Sequence, residues 1–189
     1  REAGYAVEVI EMDDRCCAFI NDALGIPAVA NNDPVAVLRN RPSYDVIALW
    51  HVVEHLRDPW SLLDCAAENL AGGGVLVVAT PNPGSRLFSL LGAAWPHVDA
   101  PRHTCLIPLS ALTARLRAKG LILVETVTND GSARSATRFG CGAWLARNIS
   151  NRQLHRAVYL IGAALGMCML PFERGSHAGA YTAVFRKTP

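Results

Sequence analysis

Val75-Leu-Val-Val-Ala-Thr80 is apolar almost from end to end and follows three consecutive glycines, Gly72 to Gly74. A strand without a polar side has to be covered on both faces. That is the condition of a strand inside a helix-flanked parallel sheet. The stretches before it repeat the arrangement. Tyr5 to Glu11 is apolar and β-branched and closes on acids. Asp13 or Asp14 can cap a following helix that carries Cys17, Ile20 and Leu24 on one face and ends at Gly25. Ile26 to Ala30 reads as a short strand, Asn31 to Pro34 as turn chemistry, and 35–40 as a weak helix. Asp45 to Trp50 is the next strand, with Val46 to Leu49 buried. Asp58 as N-cap and Pro59 at the first helical position then start a helix with a stripe of Leu62, Leu63, Ala66 and Leu70. The glycine run is expected to stop it. Alternation of strand and helix through residue 80 calls for a parallel, doubly wound sheet with right-handed crossovers.

The rhythm changes after residue 80. A short helix is expected over Arg86 to Trp95, followed by an aperiodic stretch from Pro96 to Pro108. Ser110 is expected to cap a helix bearing Leu112 and Leu116 and closed by Gly120. Leu121 to Thr128 reads as a strand, 134–148 and 151–170 as basic helices, and Ala180 to Arg186 as a last strand. Arg1-Glu2-Ala3-Gly4 reads as the last turn of a helix with its terminal glycine, so at least one strand and most of one helix are expected to lie upstream.

With 189 residues, 51% of them hydrophobic and 18% charged, the chain is long and apolar enough for one domain with a real core. Its six cysteines form no C-x-x-C pair, which argues against a zinc or redox motif and for a reducing, cytoplasmic compartment. No signal-peptide pattern opens it. Gly140-Cys-Gly142 is no phosphate loop, because no strand immediately precedes it and Leu145 stands where the third glycine would fall. Residues 1–70 hold twelve acids and five Lys/Arg, whereas 71–189 hold four acids and thirteen. An acidic front and a basic back point to different partners or simply to differing solvated faces. Ala157 to Phe172 carries no charge and is flanked by Arg152, Arg156 and Arg174. At sixteen residues it falls short of the roughly twenty that span a bilayer. Two readings of 152–174 stay open: a buried or capping helix, and a surface helix in peripheral contact with lipid.

In open α/β sheets ligands sit beyond the carboxyl ends of strands. Glu11 stands at such an end, where a carboxylate can accept two hydrogen bonds from a ribose or merely favour a helix start. Asn32 and Asp33 follow the next strand and can bond an adenine edge or form an Asx turn into Pro34. His51, Glu54 and His55 follow Trp50, and His103 lies in the proline-rich loop. His51 and His55 are four apart, so a helical turn would put them on one side. Histidine is the natural general base near neutral pH. Catalysis, a divalent-metal site and a positioning role remain open for the cluster, and no metal is assigned.

Together these residues resemble class I S-adenosylmethionine-dependent methyltransferases, especially the bacterial type 11 and type 23 domains. The resemblance is carried by Trp50-His-Val-Val-Glu-His-Leu-Arg-Asp-Pro59, by Leu70-Ala-Gly-Gly-Gly-Val-Leu-Val-Val-Ala-Thr-Pro-Asn82, by Ala100-Pro-Arg-His103 with Ile107 to Ser110, and by Gly179-Ala-Tyr-Thr-Ala-Val-Phe-Arg-Lys187. It implies an α/β, Rossmann-like seven-stranded sheet, mostly parallel with an antiparallel last strand and lacking its first strand. It implies a single domain over 1–189, incomplete at the N-terminus, with helical cap insertions at about 84–108 and 132–175. The implied cofactor is S-adenosylmethionine, with Glu11 on its ribose, Met12 on its adenine, Asn32 or Asp33 at the adenine edge, and Trp50 and His51 where cofactor and acceptor meet. The implied reaction is methyl transfer to an oxygen or nitrogen of a small or lipid- or glycan-linked acceptor, with His51, His55 or His103 taking the proton. Nucleic acid is not among the expected partners, and oligomeric state is left open. The family's glycine-rich first motif is absent from the chain as given. A non-catalytic relic that binds a partner or membrane surface is the rival reading. A nicotinamide-dependent half-domain is another, which an antiparallel strand at 180–186 would oppose.

Overall fold

The computed structural model describes residues 4–128, 131–169, 171 and 175–189. The expected helix end at Arg1 to Ala3, and Arg174 as a flank of the apolar run, lie outside the described residues. The chain divides into two compact units, 1–43 and 44–189.

The first unit is a small βαβ layer. Strand β1 (Val9–Glu11) and strand β2 (Ala28–Ala30) pair in parallel, linked by helix α1 (Asp14–Leu24) and followed by helix α2 (Pro34–Arg39). Caps set the boundaries. Asp13 is the N-cap of α1, accepting from the N–H groups of Arg15 and Cys16, and Gly25 closes it at φ 60°. The Asn21 side chain accepts from Ala28 N–H at 2.9 Å and ties the end of α1 to β2. The strand expected from Tyr5 begins only at Val9, and of the expected apolar stripe on α1 only Cys17 is buried.

The second unit holds a four-stranded sheet in the order β3-β4-β6-β5. Its elements are β3 (Tyr44–Trp50), α3 (Pro59–Asn69), β4 (Leu70–Pro81), α4 (Arg86–Leu91), α5 (Leu109–Ala118), β5 (Leu121–Val127), α6 (Gly131–Ala146), α7 (Arg152–Met169) and β6 (Ala180–Lys187). β3 and β4 run parallel, while β6 runs antiparallel to both β4 and β5. The last strand therefore has the expected direction, and the nicotinamide-type alternative loses its support. Leu62, Leu63 and Ala66 of α3, Leu76 and Val78 of β4, and Phe185 of β6 are buried at its core. None of Val75 to Pro81 is exposed, as an apolar central strand requires.

Three local readings are corrected. The glycines do not stop α3. The helix ends at Asn69, capped into extended backbone at Leu70, and β4 runs through the glycine segment. The pairing steps from Tyr44↔Leu70 to Val46↔Val75, so the glycines form a bulge. Gly73 sits at φ +77°, and a Cβ on Gly74 would stand 2.9 Å from the Ala71 carbonyl oxygen and 3.1 Å from that of Asp45. Only glycine fits there. β3 is not buried throughout. Ile47 and Leu49 point inward while Val46 and Trp50 are 47% and 53% exposed, because successive side chains of a strand point to opposite faces and only one face of β3 is covered. Ser110 does not cap α5, whose N-cap is Pro108.

Candidate active site at the carboxyl end of β3

β3 leads into a sharp turn. His51 takes φ +53°, a left-handed conformation that costs a non-glycine residue on the order of 1 kcal/mol. Its N–H still donates to the Ala79 carbonyl at 2.9 Å, so the ladder continues while the chain changes direction. A single 3-10 turn, Val53–His55, follows and drives Glu54 inward. His51 lies outside that turn, so the expected four-residue helical pairing with His55 does not form. The two are instead gathered around Glu54.

Glu54 is 1% exposed, which an ionised carboxylate tolerates only if its oxygens are bonded. They are. Oε1 lies 2.9 Å from His51 Nδ1, and Oε2 accepts from the Thr80 hydroxyl at 3.1 Å. Burial pushes the Glu54 carboxyl up, but the His51 hydrogen bond, its own backbone N–H, attraction to the His51 ring when that ring is protonated, and the Thr80 hydroxyl outweigh it, and the net direction is down. The Glu54 main chain anchors the proline-rich loop. Its carbonyl accepts from Thr104 N–H at 2.8 Å and from the Thr104 hydroxyl at 3.3 Å, and that hydroxyl also donates to the Leu56 carbonyl.

His103 and His55 are brought together by this loop. Their rings meet edge to face at 4.8 Å between centroids. His55 Nδ1 lies 3.1 Å from the Arg102 carbonyl and His103 Nδ1 2.6 Å from the His97 carbonyl. A carbonyl oxygen only accepts, so in both rings Nδ1 carries the hydrogen and Nε2 the basic lone pair. The same logic applies to His51, whose Nδ1–H faces a carboxylate. Glu54, His55 and His103 each offer a ligand atom within 4.8 Å of the others, close enough to hold a divalent ion. Both Glu54 oxygens already accept hydrogen bonds, so an ion would have to share or displace one of them.

Trp50 is 53% exposed and meets His51 edge-on at 6.4 Å. In the first unit, Glu11 closes β1, and its Oε1 accepts from the N–H groups of Met12 at 2.7 Å and Asp13 at 3.0 Å. Met12 beside it is 74% exposed. Asn31 N–H donates to the Glu11 carbonyl, which places the Asn31–Asp33 turn next to Glu11 at the carboxyl edge of the two parallel strands. Asp33 is engaged as the N-cap of α2, accepting from Ala36 N–H at 3.0 Å, and Asn32 is exposed.

Thr80 and Thr104, which complete the Glu54 network, are not among the site residues expected from the sequence. The one available signal is a polar residue, Thr80, at the end of an apolar strand. Asn82, also unassigned from sequence, is 4% exposed and donates to the Ala178 carbonyl at 2.8 Å, which locks the end of β4 to the start of β6. A cavity of about 890 Å³ opens beside it, lined by Asn82, Gly84, Pro108, Thr113, Arg117 and Leu123 among others. His51, His55 and His103 do not border it.

A profile of the methyltransferase domain family matches residues 1–130, and the chain belongs to that family. A ubiquinone biosynthesis O-methyltransferase from Psychrobacter cryohalolentis is 39% identical over 54 residues, 28% of this chain and 21% of that enzyme. The chain thus spans about a fifth of the length of that relative in the matched stretch. Among solved structures, a SAM-dependent methyltransferase from Archaeoglobus fulgidus superposes with a TM-score of 0.59 at 17% identity, covering 98% of this chain and 78% of that one. The [4+2]-cyclase SpnF superposes equally well, at 0.59 and 18% identity, over 96% of this chain and 65% of its own. These likenesses define a Rossmann-like methyltransferase fold. The cyclase shows that the fold alone does not dictate methyl transfer.

Proposed function

We propose that the chain takes part in methyl transfer from S-adenosylmethionine to an oxygen or nitrogen of a small or lipid- or glycan-linked acceptor. The observation that carries this reading is the His51–Glu54 pair beside the His55–His103 pair at the carboxyl end of β3, in a chain of methyltransferase family. When bound, the sulfonium cofactor supplies an electrophilic methyl group. The chain's own groups supply position and a base.

Glu11 fits a ribose diol. Its Oε1 is held by two backbone N–H groups, which fixes the carboxylate. Met12 offers an exposed apolar surface for adenine beside it, with Asn32 and Asp33 at the adenine edge. The family resemblance assigns Trp50 and His51 to the approach of the acceptor. Methyl transfer to an oxygen or nitrogen would leave the acceptor's proton to be taken up, and a histidine Nε2 would accept it. His51 is the best supported of the three, since the buried Glu54 carboxylate orients its ring and stabilises the imidazolium that forms. His55 and His103 are held in the same tautomer by carbonyls and can serve the same role. Most of the rate would come from holding donor and acceptor in line.

Equilibrium dialysis with methyl-tritiated S-adenosylmethionine tests the reading. Binding that S-adenosylhomocysteine displaces, and that Glu11→Ala weakens at least about tenfold through loss of a charge-assisted diol contact, is the expected result. Absence of binding, with vesicle association retained, would support the non-catalytic alternative instead.

A further inference from the structure

Helix α7 is apolar on two sides. One side is spent on α6. Gly162 and Gly166 are buried, and a Cβ at Gly162 would fall 2.6 Å from the Cys141 carbonyl oxygen, so the two helix backbones touch. The other side faces outward. Leu154, Leu160, Ile161 and Leu165 recur at helical spacing and are 54%, 66%, 56% and 54% exposed, with Ala157 and Ala164 exposed between them. A continuous apolar helix face of this kind is rarely left to water without a partner.

The charge on the hairpin itself is of one sign. Residues 131–169 hold five arginines and no aspartate or glutamate. Arg138, Arg147, Arg152 and Arg156 are exposed, and none of the ion pairs found among the described residues involves them. Arg152 and Arg156 occupy the first turns of α7, and Arg147 lies over the Trp144 ring at 4.6 Å. No helix among the described residues is long and apolar enough to cross a membrane. An 18-residue helix about 27 Å long, with an apolar outer face and arginines at one end, is built to lie in the plane of an interface.

We propose that the α6–α7 hairpin is a docking surface for an anionic lipid bilayer. The leucines and isoleucine of α7 enter the acyl boundary, and the guanidinium groups meet lipid phosphates. A second copy of the chain is the poorer occupant, because this face and the hairpin around it offer the arginines no acid to pair with. The consequence for the site is direct. α6 packs against the 96–98 turn, and the His97 carbonyl of that turn holds His103. A docked hairpin is therefore joined through α6 to the loop that carries His103, which suits an acceptor carried in the bilayer. The docking itself does not depend on methyl transfer.

Vesicle sedimentation of the whole chain tests this. Partition into phosphatidylcholine vesicles containing phosphatidylglycerol should exceed that into pure phosphatidylcholine at least about tenfold and fall as salt rises. Arg152→Gln with Arg156→Gln should weaken it about 25-fold, at roughly fivefold per arginine. Ile161→Ser should weaken it as well, whereas Arg117→Gln on α5 should change it less than about twofold. Circular dichroism checks that each variant is folded. Equal partition into both vesicle types, or no partition at all, would overturn the proposal. So would a salt-insensitive dimer that Ile161→Ser dissolves.

Discussion

Replacing Glu54 with glutamine isolates the charge at the centre of the candidate site. The amide keeps the volume of the carboxylate, and its oxygen can still accept from His51 Nδ1–H while its NH₂ donates to the Thr80 hydroxyl. What is lost is the charge assistance of two side-chain hydrogen bonds. Hydrogen bonds to charged groups are worth about 1.5–3 kcal/mol against about 0.5–1.5 for neutral ones, so the loss at neutral pH is about 2 kcal/mol. For a chain of this size that is a fall in Tm of about 4–8 °C. The sign with pH follows from the lowered Glu54 carboxyl. A folded-state pKa below the unfolded value contributes stability that is full above the unfolded pKa and is lost as pH falls through the folded one. The native chain loses this contribution in acid and Glu54→Gln has none to lose, so the two melting curves should converge below the ordinary carboxylate range. Asp58 and Asp64 are also held low, the first by Ser61 and the second by Arg115, so both proteins keep an acid limb and only their difference belongs to Glu54. Thermal unfolding at closely spaced pH values measures it. A gap that stays constant with pH, or no gap at neutral pH, would refute the reasoning.

Gly162→Val puts a branched side chain where a single Cβ already meets backbone at 2.6 Å. The helices must separate, and the cost should reach the upper part of the roughly 1–3 kcal/mol seen for overpacking, read by urea unfolding. Thr104→Val removes the hydroxyl that bridges the Glu54 and Leu56 carbonyls. It should cost about 1–2 kcal/mol and speed hydrogen exchange in the 97–104 loop, with little change in the first unit. Asp64→Asn breaks the pair with Arg115 and Lys119 that joins α3 to α5, so it should lower Tm more at low ionic strength than at high.

Elements bounded by local chemistry were legible in the sequence. Asp13, Asp58-Pro59 and Gly25 mark helix ends because a cap needs only residues within one turn, and all three stand where the pattern puts them. The antiparallel β6 followed from the family resemblance. The glycine run misled because glycine ends helices and also permits bulges, and the choice is made by pairing with Tyr44 and Val46 across the sheet. The site was half visible. His51, Glu54, His55 and His103 declared themselves as titratable groups after a strand and in a loop. The partners of Glu54 did not, since Thr80 and Thr104 lie 26 and 50 residues away and only the folded chain brings them in. The left-handed turn at His51 was likewise hidden, because nothing in its residue type asks for positive φ.

Amide chemical shifts of the ¹⁵N-labelled chain, followed as S-adenosylhomocysteine is added, probe the central claim most directly. The account predicts saturable shifts at Glu11 and Met12 and at Trp50, His51 and Glu54. Shifts confined to the cavity around Asn82 and Arg117, or none at saturating ligand, would contradict it.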